Sequence, residues 1–532
     1  MIKDSLAISP LYSRVIDVAW MLVLALVAAE YALHYNIFLQ AIPHDTTYHI
    51  YAAQQMLDGH AIYRDVAIIK APLSDFATAL ALVVGRALGI SDIMSARLMS
   101  LLTFMGTASV TYWAGRVLFK SRAVGLIAGL IMAGWDFYGL RAVTGPEPKA
   151  FLILFAMPAF VFLAQKRWTL AGACGALATL AWQPALMVPA LALAGALVAP
   201  WLESKRDAAT RAWRVALRQA LRVVVGFAIP FAFVILYLGW NDALLPAWHA
   251  TIGANIVHFN NEQAKTPLAQ IISDNYVEIF YTDAKYCFSP LENWLVLASG
   301  IGFAGIVLAQ IVTAARAKRA PINLERTPFL LYGLGFIAFS LIDFDFCPDL
   351  FPLLPIMALS VGWLVWSLAR GAGALAEKYL GPARARYVPL GIVLAAIALI
   401  VDVYLFDVNA YTIRGPNFQD QQYAVNAARK YLAPGDTVLS FGDAMVLVEL
   451  HLSNASKIVH LGSKSGLGVL AFEPGGFQGM VDDLDRNPPK LITLARETHL
   501  DWQQPFYDWL QEFYEPADVF PRANMRFFIR KP

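Results

Sequence analysis

Cysteine and charge are both scarce in this chain of 532 residues. Three cysteines cannot build the dense disulfide framework of a small secreted scaffold. The 41 lysines and arginines nearly balance the 39 aspartates and glutamates, so bulk charge gives no reason to expect nucleic acid as a partner. Since only 15% of the residues are charged, their placement along the chain carries more information than their number.

Apolar residues, in contrast, make up 58% of the chain, which is more than a soluble domain of this size could bury. The composition therefore indicates a polytopic α-helical membrane protein surrounded by membrane lipids. We expect about eleven transmembrane helices, near residues 15–38, 95–118, 123–138, 150–165, 169–183, 185–201, 223–240, 294–314, 327–342, 351–369 and 388–406. The first run has the length of a spanning helix and no small-residue cleavage pattern after it, so we expect no cleaved signal peptide.

Basic residues predict the orientation, because cytoplasmic loops are rich in lysine and arginine. The basic connectors are residues 119–123, 165–168, 203–222, 315–326 and 369–387. All five connectors lie on the cytoplasmic side if the N-terminus is cytoplasmic and residues 73–89 do not cross the membrane. The run at 73–89 is short and contains Arg86, so we expect it to form a juxtamembrane or re-entrant helix on the outer face. The prediction is a multi-pass protein of the cytoplasmic (inner) membrane, with residues 39–94, 140–149, 241–293, 343–349 and everything after about 408 outside.

The chain changes character near residue 408, where it becomes more polar. We expect a transmembrane catalytic domain over 1–407, with 39–94 as its first outer loop, and an extracytoplasmic α/β domain over 408–532. In this tail we expect strands at 436–443, 457–461, 490–495 and 525–530, and helices at 444–452 and 476–487. Asp443 follows the first strand, where α/β folds often place ligand contacts, although capping of the next helix is the favoured interpretation.

Two carboxylates share the predicted outer boundary. Asp45 follows the first span in "PHDTTYH", and Glu147 precedes the fourth in "TGPEPK". Asp45 would also make a good N-cap for the amphipathic helix after it, so a catalytic role and a capping role stay equally weighted. Glu147 is harder to explain as a cap, because Pro146 and Pro148 fix the local backbone.

Several cations near these acids could hold a phosphate, although boundary lysines and arginines more often extend toward lipid headgroups. They are Arg64, Lys70, Arg97, Arg141 and Lys149.

Three further groups lie in the predicted outer loops. The 241–293 loop is long enough to act as a lid and contains His249, His258 and Glu262; a divalent metal is conceivable there, but scattered histidines are usually only polar. Asp343, Asp345 and Asp349 could join the site or simply mark the end of a span. Cys287 and Cys347 both fall outside, where an oxidising compartment could pair them.

The order of motifs resembles the GT-C glycosyltransferases of the protein mannosyltransferase and aminoarabinose transferase type. After the acid that follows the first span come "AAQQMLDGHAIYRDVAIIKAPL", "SARLMSLLTFMGTASVTYWAGRVLF", "GPEP" at the start of an apolar helix, and "DFCPDLFPLLPIMALSVG". The resemblance covers roughly the first 190 residues and residues 343–365, and the α/β tail is similar to that of many bacterial members. It implies the GT-C fold and a transferase that moves a sugar from a polyprenyl-phosphate donor, undecaprenyl phosphate in a bacterial membrane, to a lipid, glycan or protein acceptor.

The resemblance also implies roles for residues that match its motifs. Asp45 would be the catalytic base or lie beside it, and Glu147 would help bind the acceptor or shape the site. Lys70 would contact the carrier phosphate, with Arg64 and Arg97 as looser matches. Independently of the resemblance, His258 and Asp345 are candidates for acceptor or lid contacts because they lie in the predicted outer loops. Many relatives have an adjacent acidic pair where this chain has a histidine before its acid, and "KAPL" replaces a more usual double proline.

These residue types suit glycosyl transfer from a phosphate ester, which already has a good leaving group. The enzyme needs a base for the acceptor and cations for the departing phosphate, so no cofactor is required. Attack opposite the phosphate would invert the anomeric centre. A polytopic transporter or flippase is the alternative, although we find no internal repeat and the acids cluster at one face. An inactive relative that recognises a polysaccharide is a third hypothesis.

Overall fold

The computed structural model describes residues 10–34, 36–203, 209–258, 266–282, 284–290, 292–316, 325–410, 417–459, 468–495 and 503–532. Its first half contains helices α1 Pro10–His34, α2 His44–Leu57, α3 Leu73–Ala87, α4 Asp92–Leu118, α5 Arg122–Gly134, α6 Asp136–Thr144, α7 Pro148–Ala164, α8 Trp168–Ala181, α9 Met187–Glu203 and α10 Ala209–Trp240. Then follow α11 Leu244–Trp248, α12 Ala254–His258, α13 Leu268–Val277, α14 Ala284–Cys287, α15 Glu292–Arg316, α16 Thr327–Ile342, α17 Leu354–Leu380, α18 Pro382–Ala385 and α19 Val388–Ala410. Short 3₁₀ turns at Gln183–Leu186 and Cys347–Leu353 precede α9 and α17.

Long apolar helices show that the chain is a multi-pass membrane protein. Among the described residues, seven helices are long and apolar enough to span a bilayer, and the bent pair α5 and α6 could be an eighth. Three shorter apolar helices, α7, α8 and α16, occupy the other predicted runs. Each of the eleven predicted runs thus contains helix, but the count of eleven transmembrane helices stays a prediction: α7, α8 and α16 are short, and the run at 123–138 is broken between α5 and α6. Residues 73–89, predicted not to cross, contain the 15-residue helix α3 at Leu73–Ala87.

The bend between α5 and α6 positions an arginine of the candidate site. The two helices meet at 66° around Trp135, whose backbone is extended. The break frees the amide of Asp136, which donates instead to the buried Glu292 carboxylate at 2.8 Å. Arg141 lies in the last turn of α6, so the change in helix direction sets its position.

The C-terminal domain is a four-stranded sheet with helices. Its elements are α20 Phe418–Ala428, β1 Val438–Phe441, α21 Met445–Leu450, α22 Gly476–Arg486, β2 Leu491–Ala495, α23 Gln504–Phe513, β3 Tyr514–Phe520 and β4 Met525–Arg530. The strand order is β1-β2-β4-β3, with β1 parallel to β2 and the other pairs antiparallel. The buried runs "VLSF" and "LITLA" form the parallel pair β1–β2, and every residue of both strands is buried.

Sequence analysis did not predict three elements of this domain, and one of its predicted strands is wrong over the described residues. The described part of the predicted strand at 457–461, Lys457–Val459, is not a strand, and residues 460–461 lie outside the described residues. Asn454 forms a parallel bridge to Val438 instead, so an irregular segment lies along β1. Helices α20 and α23 and strand β3 were not predicted.

The α/β domain shares a hydrophobic core with residues 39–94, the segment predicted as the first outer loop. Side chains of α2 such as Ile50 and Tyr51 pack in the same buried cluster as Val438 and Val446. Phe472 stacks on His249, in the segment after α11, with ring centroids 4.3 Å apart. The domain therefore contacts both the loop of Asp45 and the predicted lid.

Candidate active site

Asp45 lies in the first turn of α2 and binds a cation from another helix. Its Oδ2 is 2.6 Å from Nη2 of Arg141. The N-cap position is Pro43 and no side chain caps the helix, so the alternative interpretation of Asp45 as the cap is wrong. An acid in a first helical turn is also stabilised by the helix dipole. The side chain of Asp45 is 27% exposed and is therefore only partly buried.

Glu147 is the second carboxylate near Arg141. Its Oε2 is 3.7 Å from Nε of Arg141, and the side chain is 2% exposed. Its other oxygen accepts a hydrogen bond from the Lys149 amide at 3.3 Å, which caps α7. The expectation that capping poorly explains Glu147 is therefore wrong: the residue caps α7 and also faces Arg141. The guanidinium consequently lies between two carboxylates.

Gly145 allows the "GPEP" loop to lie directly against α2. A Cβ atom built there would be 2.4 Å from Oγ1 and 2.9 Å from Cβ of Thr46. Thr46 is the residue after Asp45, and its hydroxyl donates to the Pro43 carbonyl at 2.8 Å. Any side chain at 145 would therefore push the loop of Glu147 away from the turn of Asp45.

A second ion pair anchors the start of α7. Nζ of Lys149 lies 2.5 Å from Oδ1 of Asp349 and 4.7 Å from the ring centroid of Trp182. Asp349 belongs to the Cys347–Leu353 turn, and its Oδ2 accepts the Asp345 amide at 2.8 Å. Of the three acids predicted near this turn, Asp349 forms an ion pair with Lys149, two residues after Glu147.

A disulfide links this turn to the predicted lid. Cys287 and Cys347 are bonded and lie 60 positions apart in the sequence; an oxidising compartment would permit this bond. The bond lies in a small apolar cluster with Ile279, Phe344 and Leu350. The turn of Asp349 is therefore covalently attached to the segment before α15.

Lys70 lies near α2, the helix of Asp45, because its ammonium faces the ring of Tyr48 in that helix. Its Nζ is 5.8 Å from the centroid of the Tyr48 ring, and its carbonyl accepts the Tyr63 hydroxyl at 2.8 Å. Burial raises the pKa of Tyr48 well above its usual value, and the charges of Asp75, Asp45 and Glu147 raise it further. Tyr48 is therefore a neutral hydroxyl beside the acidic cluster at physiological pH.

A buried histidine–aspartate pair lies below the same helix. Nδ1 of His49 is 2.6 Å from Oδ1 of Asp75, and both side chains are fully buried. The ring of His49 packs on Tyr48, with centroids 4.1 Å apart. This pair joins α2 to α3 and was not predicted from the sequence.

Two of the remaining predicted residues, Arg64 and Arg97, bind partners other than Asp45 and Glu147. Arg64 donates from Nε and Nη2 to the carboxylate of Asp65 and from Nη1 to the Asn241 carbonyl. The hydrogen bonds from Arg64 lower the pKa of Asp65. Arg97 is buried, with Nη1 and Nη2 donating to the carbonyls of Ile37 and Gln40.

Two other predicted residues lie in the lid region and the Asp349 turn. Asp345 is exposed beside Asp349. The side chain of His258 lies outside the described residues.

The residues that sequence analysis missed are mainly partners. Arg141 and Lys149 were noted only as cations of the boundary, without their carboxylate partners. Nδ1 of His44 lies 2.6 Å from Oδ2 of Asp443, which the sequence could not indicate because 399 positions separate the two. Within the described ranges, no three His, Cys, Asp or Glu side chains are grouped so that they could hold a metal ion.

Comparison with solved structures identifies the architecture. ArnT from Cupriavidus metallidurans bound to undecaprenyl phosphate matches with a TM-score of 0.54 and 15% identity over 98% of each chain. The oligosaccharyltransferase AglB from Archaeoglobus fulgidus in complex with an inhibitory peptide and a dolichol-phosphate matches with a TM-score of 0.53 and 12% identity, over 96% of this chain and 74% of that one. The same A. fulgidus enzyme tethered to an acceptor peptide that contains the NVT sequon gives equal values.

The other two comparisons found nothing: no protein-family model matches the sequence, and no curated protein does. The structural matches extend over nearly the whole chain and include the C-terminal domain. Both neighbours are GT-C glycosyltransferases, so the resemblance drawn from motif order is confirmed for the fold. This polytopic membrane protein has the fold of the GT-C glycosyltransferases.

Proposed function

We propose that the protein is a membrane glycosyltransferase that moves a sugar from a polyprenyl-phosphate donor to an acceptor outside the cytoplasmic membrane. The observation that carries this proposal is the cluster of Asp45, Arg141 and Glu147, built by α2, α6 and the start of α7 within a GT-C fold. A partly exposed carboxylate held by a guanidinium suits a base that must keep one orientation.

In the proposed reaction, Asp45 accepts the proton of an acceptor hydroxyl or amine. The acceptor atom forms a bond to the anomeric carbon as the bond from that carbon to the phosphate oxygen breaks, and the electron pair leaves with the phosphate. Attack from the opposite face inverts the anomeric centre. Glu147 holds Arg141 and borders the acceptor position, and no cofactor takes part in these steps.

Lys70 is our proposed contact for the carrier phosphate, because it lies on the loop next to α2 and is only partly buried. Arg64 and Arg97 use their nitrogens on Asp65, Asn241 and backbone carbonyls, so we assign them the task of shaping the loops around the site. The neighbours bound to undecaprenyl phosphate and dolichol-phosphate support a polyprenyl-phosphate donor. The acceptor is a lipid, a glycan or a protein, and the peptide-bound neighbour favours testing peptides first.

The proposed orientation puts the N-terminus in the cytoplasm and the α/β domain outside, because the basic connectors then lie inside. The Cys287–Cys347 disulfide supports this orientation, since such bonds persist in oxidising compartments.

The test measures transfer of labelled sugar from a series of polyprenyl-phosphate donors to a membrane extract by the purified protein. We expect wild-type transfer, a loss of about 10²–10⁴-fold for Asp45→Asn, and a smaller loss for Glu147→Gln. Asp482→Asn, the same change on an exposed face of α22, is the control and should retain full activity. Full activity of Asp45→Asn would reject the proposed base. Movement of the donor across vesicle membranes by the wild type, without transfer, would support the transporter alternative.

A further inference from the structure

The α/β domain holds the turn of α2 that carries Asp45. The side-chain amide of Gln421 donates to the Ile42 carbonyl and accepts from the Ile42 amide, both at 2.9 Å. The Thr47 hydroxyl accepts from the Ala444 amide at 3.1 Å and donates to the His44 carbonyl at 2.9 Å. Residues on both sides of Asp45 are thus bound to the other domain.

The shortest of these contacts joins His44 to Asp443. Strand β1 ends in a turn at Gly442, whose φ is +87°, and a Cβ there would lie 2.0 Å from the Ala495 carbonyl oxygen. Asp443 follows with its side chain fully buried. Its Oδ1 accepts the Met445 amide at 2.9 Å, and its Oδ2 lies 2.6 Å from Nδ1 of His44. Asp443 thus makes the helix contact that the sequence favoured and also reaches the neighbour of Asp45.

The chemistry of the pair fixes the imidazole. A carboxylate offers only acceptors, so the ring nitrogen that faces Asp443 is the one that carries a proton. A histidine held in this way has one orientation and one tautomer. His44 is the first residue of α2, so fixing its ring also fixes the backbone from which Asp45 projects.

We propose that Asp443 and His44 are positioning residues for Asp45, and that the C-terminal domain is therefore a component of the active site. This inference rests on the proposed function, in which Asp45 is the base. A displacement of about 1 Å in a reacting group can cost 10²-fold in rate, so a small shift of this turn would be visible in kcat.

The first test compares kcat and the donor KM of four variants. Asp443→Asn and His44→Ala should each lower kcat about 10²-fold with the KM unchanged, as expected when only orientation is lost. His44→Asn places an amide N–H near the position of Nδ1 and should restore most of the rate. Ser453→Ala removes another interdomain hydrogen bond, to Gln55 further along α2, and should match the wild type. If His44→Asn falls as far as His44→Ala, the ring itself contacts the substrate and the positioning role is wrong.

The second test needs no transfer activity. The amides of Thr46 and Thr47 donate to the Pro43 carbonyl at 2.8 and 3.1 Å, and their hydrogen exchange reports on the first turn of α2. Exchange in a peptide covering this turn should accelerate in Asp443→Asn and stay unchanged in Ser453→Ala. Unchanged exchange in Asp443→Asn would overturn the inference. Accelerated exchange in a protein that transfers no sugar would reject the proposed function and keep the anchoring role of Asp443.

Discussion

Arg141 holds Asp45 through an ion pair of 2.6 Å and approaches Glu147 with its Nε at 3.7 Å. One cation therefore sets the orientation of the proposed base and compensates the charge of a second, buried carboxylate. The three residues come from helices that the bend at Trp135 and the close approach of Gly145 bring together.

We predict that Arg141→Gln lowers kcat by about 10²–10³-fold, the usual effect of removing one electrostatic partner from an active site. Two carboxylates would then share the site without a cation between them, and Asp45 would lose its orientation. Arg141→Lys should fall between, because an ammonium keeps the charge but lacks the planar fork. Steady-state transfer rates measure the effect, with Arg486→Gln, in an exposed pair on α22, as the control. Wild-type kcat in Arg141→Gln would contradict the geometry.

We predict that Asp349→Asn destabilises the protein by about 3 kcal/mol, because it leaves the largely buried Lys149 ammonium without its anionic partner. The double variant Lys149→Met/Asp349→Leu should be less destabilised than Asp349→Asn alone, since it removes both charges from a site that Trp182 already lines. Unfolding in detergent measures both. If the double variant loses as much stability as the sum of the single variants, the two side chains are not coupled.

We predict that Cys287→Ser/Cys347→Ser lowers the free energy of unfolding by up to about 4 kcal/mol, the chain-entropy value for a loop of this length. Transfer should also weaken, because the turn of Asp349 loses its covalent link to the segment before α15. Thermal unfolding with and without reductant provides the measurement. Cys174→Ser, at the half-buried free cysteine of α8, is the control, and its melting temperature should respond to reductant as the wild type does.

We predict that Tyr48 contributes a loss of stability at alkaline pH. Burial raises its pKa in the folded protein, so below about pH 10 the hydroxyl is neutral in both states and has no effect. As the pH rises further, the unfolded chain releases this proton first, and stability falls by up to about 1.4 kcal/mol per pH unit until the folded pKa is reached. Tyr48→Phe should flatten the alkaline part of the melting curve against pH. Tyr423→Phe, at an exposed tyrosine, should leave it unchanged, and identical curves for Tyr48→Phe and the wild type would reject the prediction.

The sequence predicts the fold well where a local pattern decides the structure. The apolar runs are helical, and the short run at 73–89 contains α3. These elements are predictable because the length and hydropathy of a single segment decide whether it can span a bilayer. The parallel strands β1 and β2 were visible as short buried runs. The strand predicted at 457–461 is wrong over Lys457–Val459, where the Val459 carbonyl accepts the Gly442 amide after β1 but the segment does not join the sheet.

The site was predictable only in part, since partners depend on tertiary distance. Asp45 and Glu147 could be chosen from their places next to apolar runs. Arg141 lies between them because of the bend between α5 and α6, and no local sequence motif predicts that bend. The guanidinium of Arg97 is a group that commonly binds phosphate, yet here it donates to the carbonyls of Ile37 and Gln40.

The contact between His44 and Asp443 has a consequence for biosynthesis. The two residues are 399 positions apart, so ribosomes working at about 5–20 residues per second deliver Asp443 some 20–80 s after His44. During that interval α2 has left the ribosome without the domain that holds its first turn. With Asp45 as the proposed base, a nascent chain contains this residue well before the contact that we propose positions it. We therefore predict that truncated products without the last hundred residues insert in the membrane but transfer no sugar.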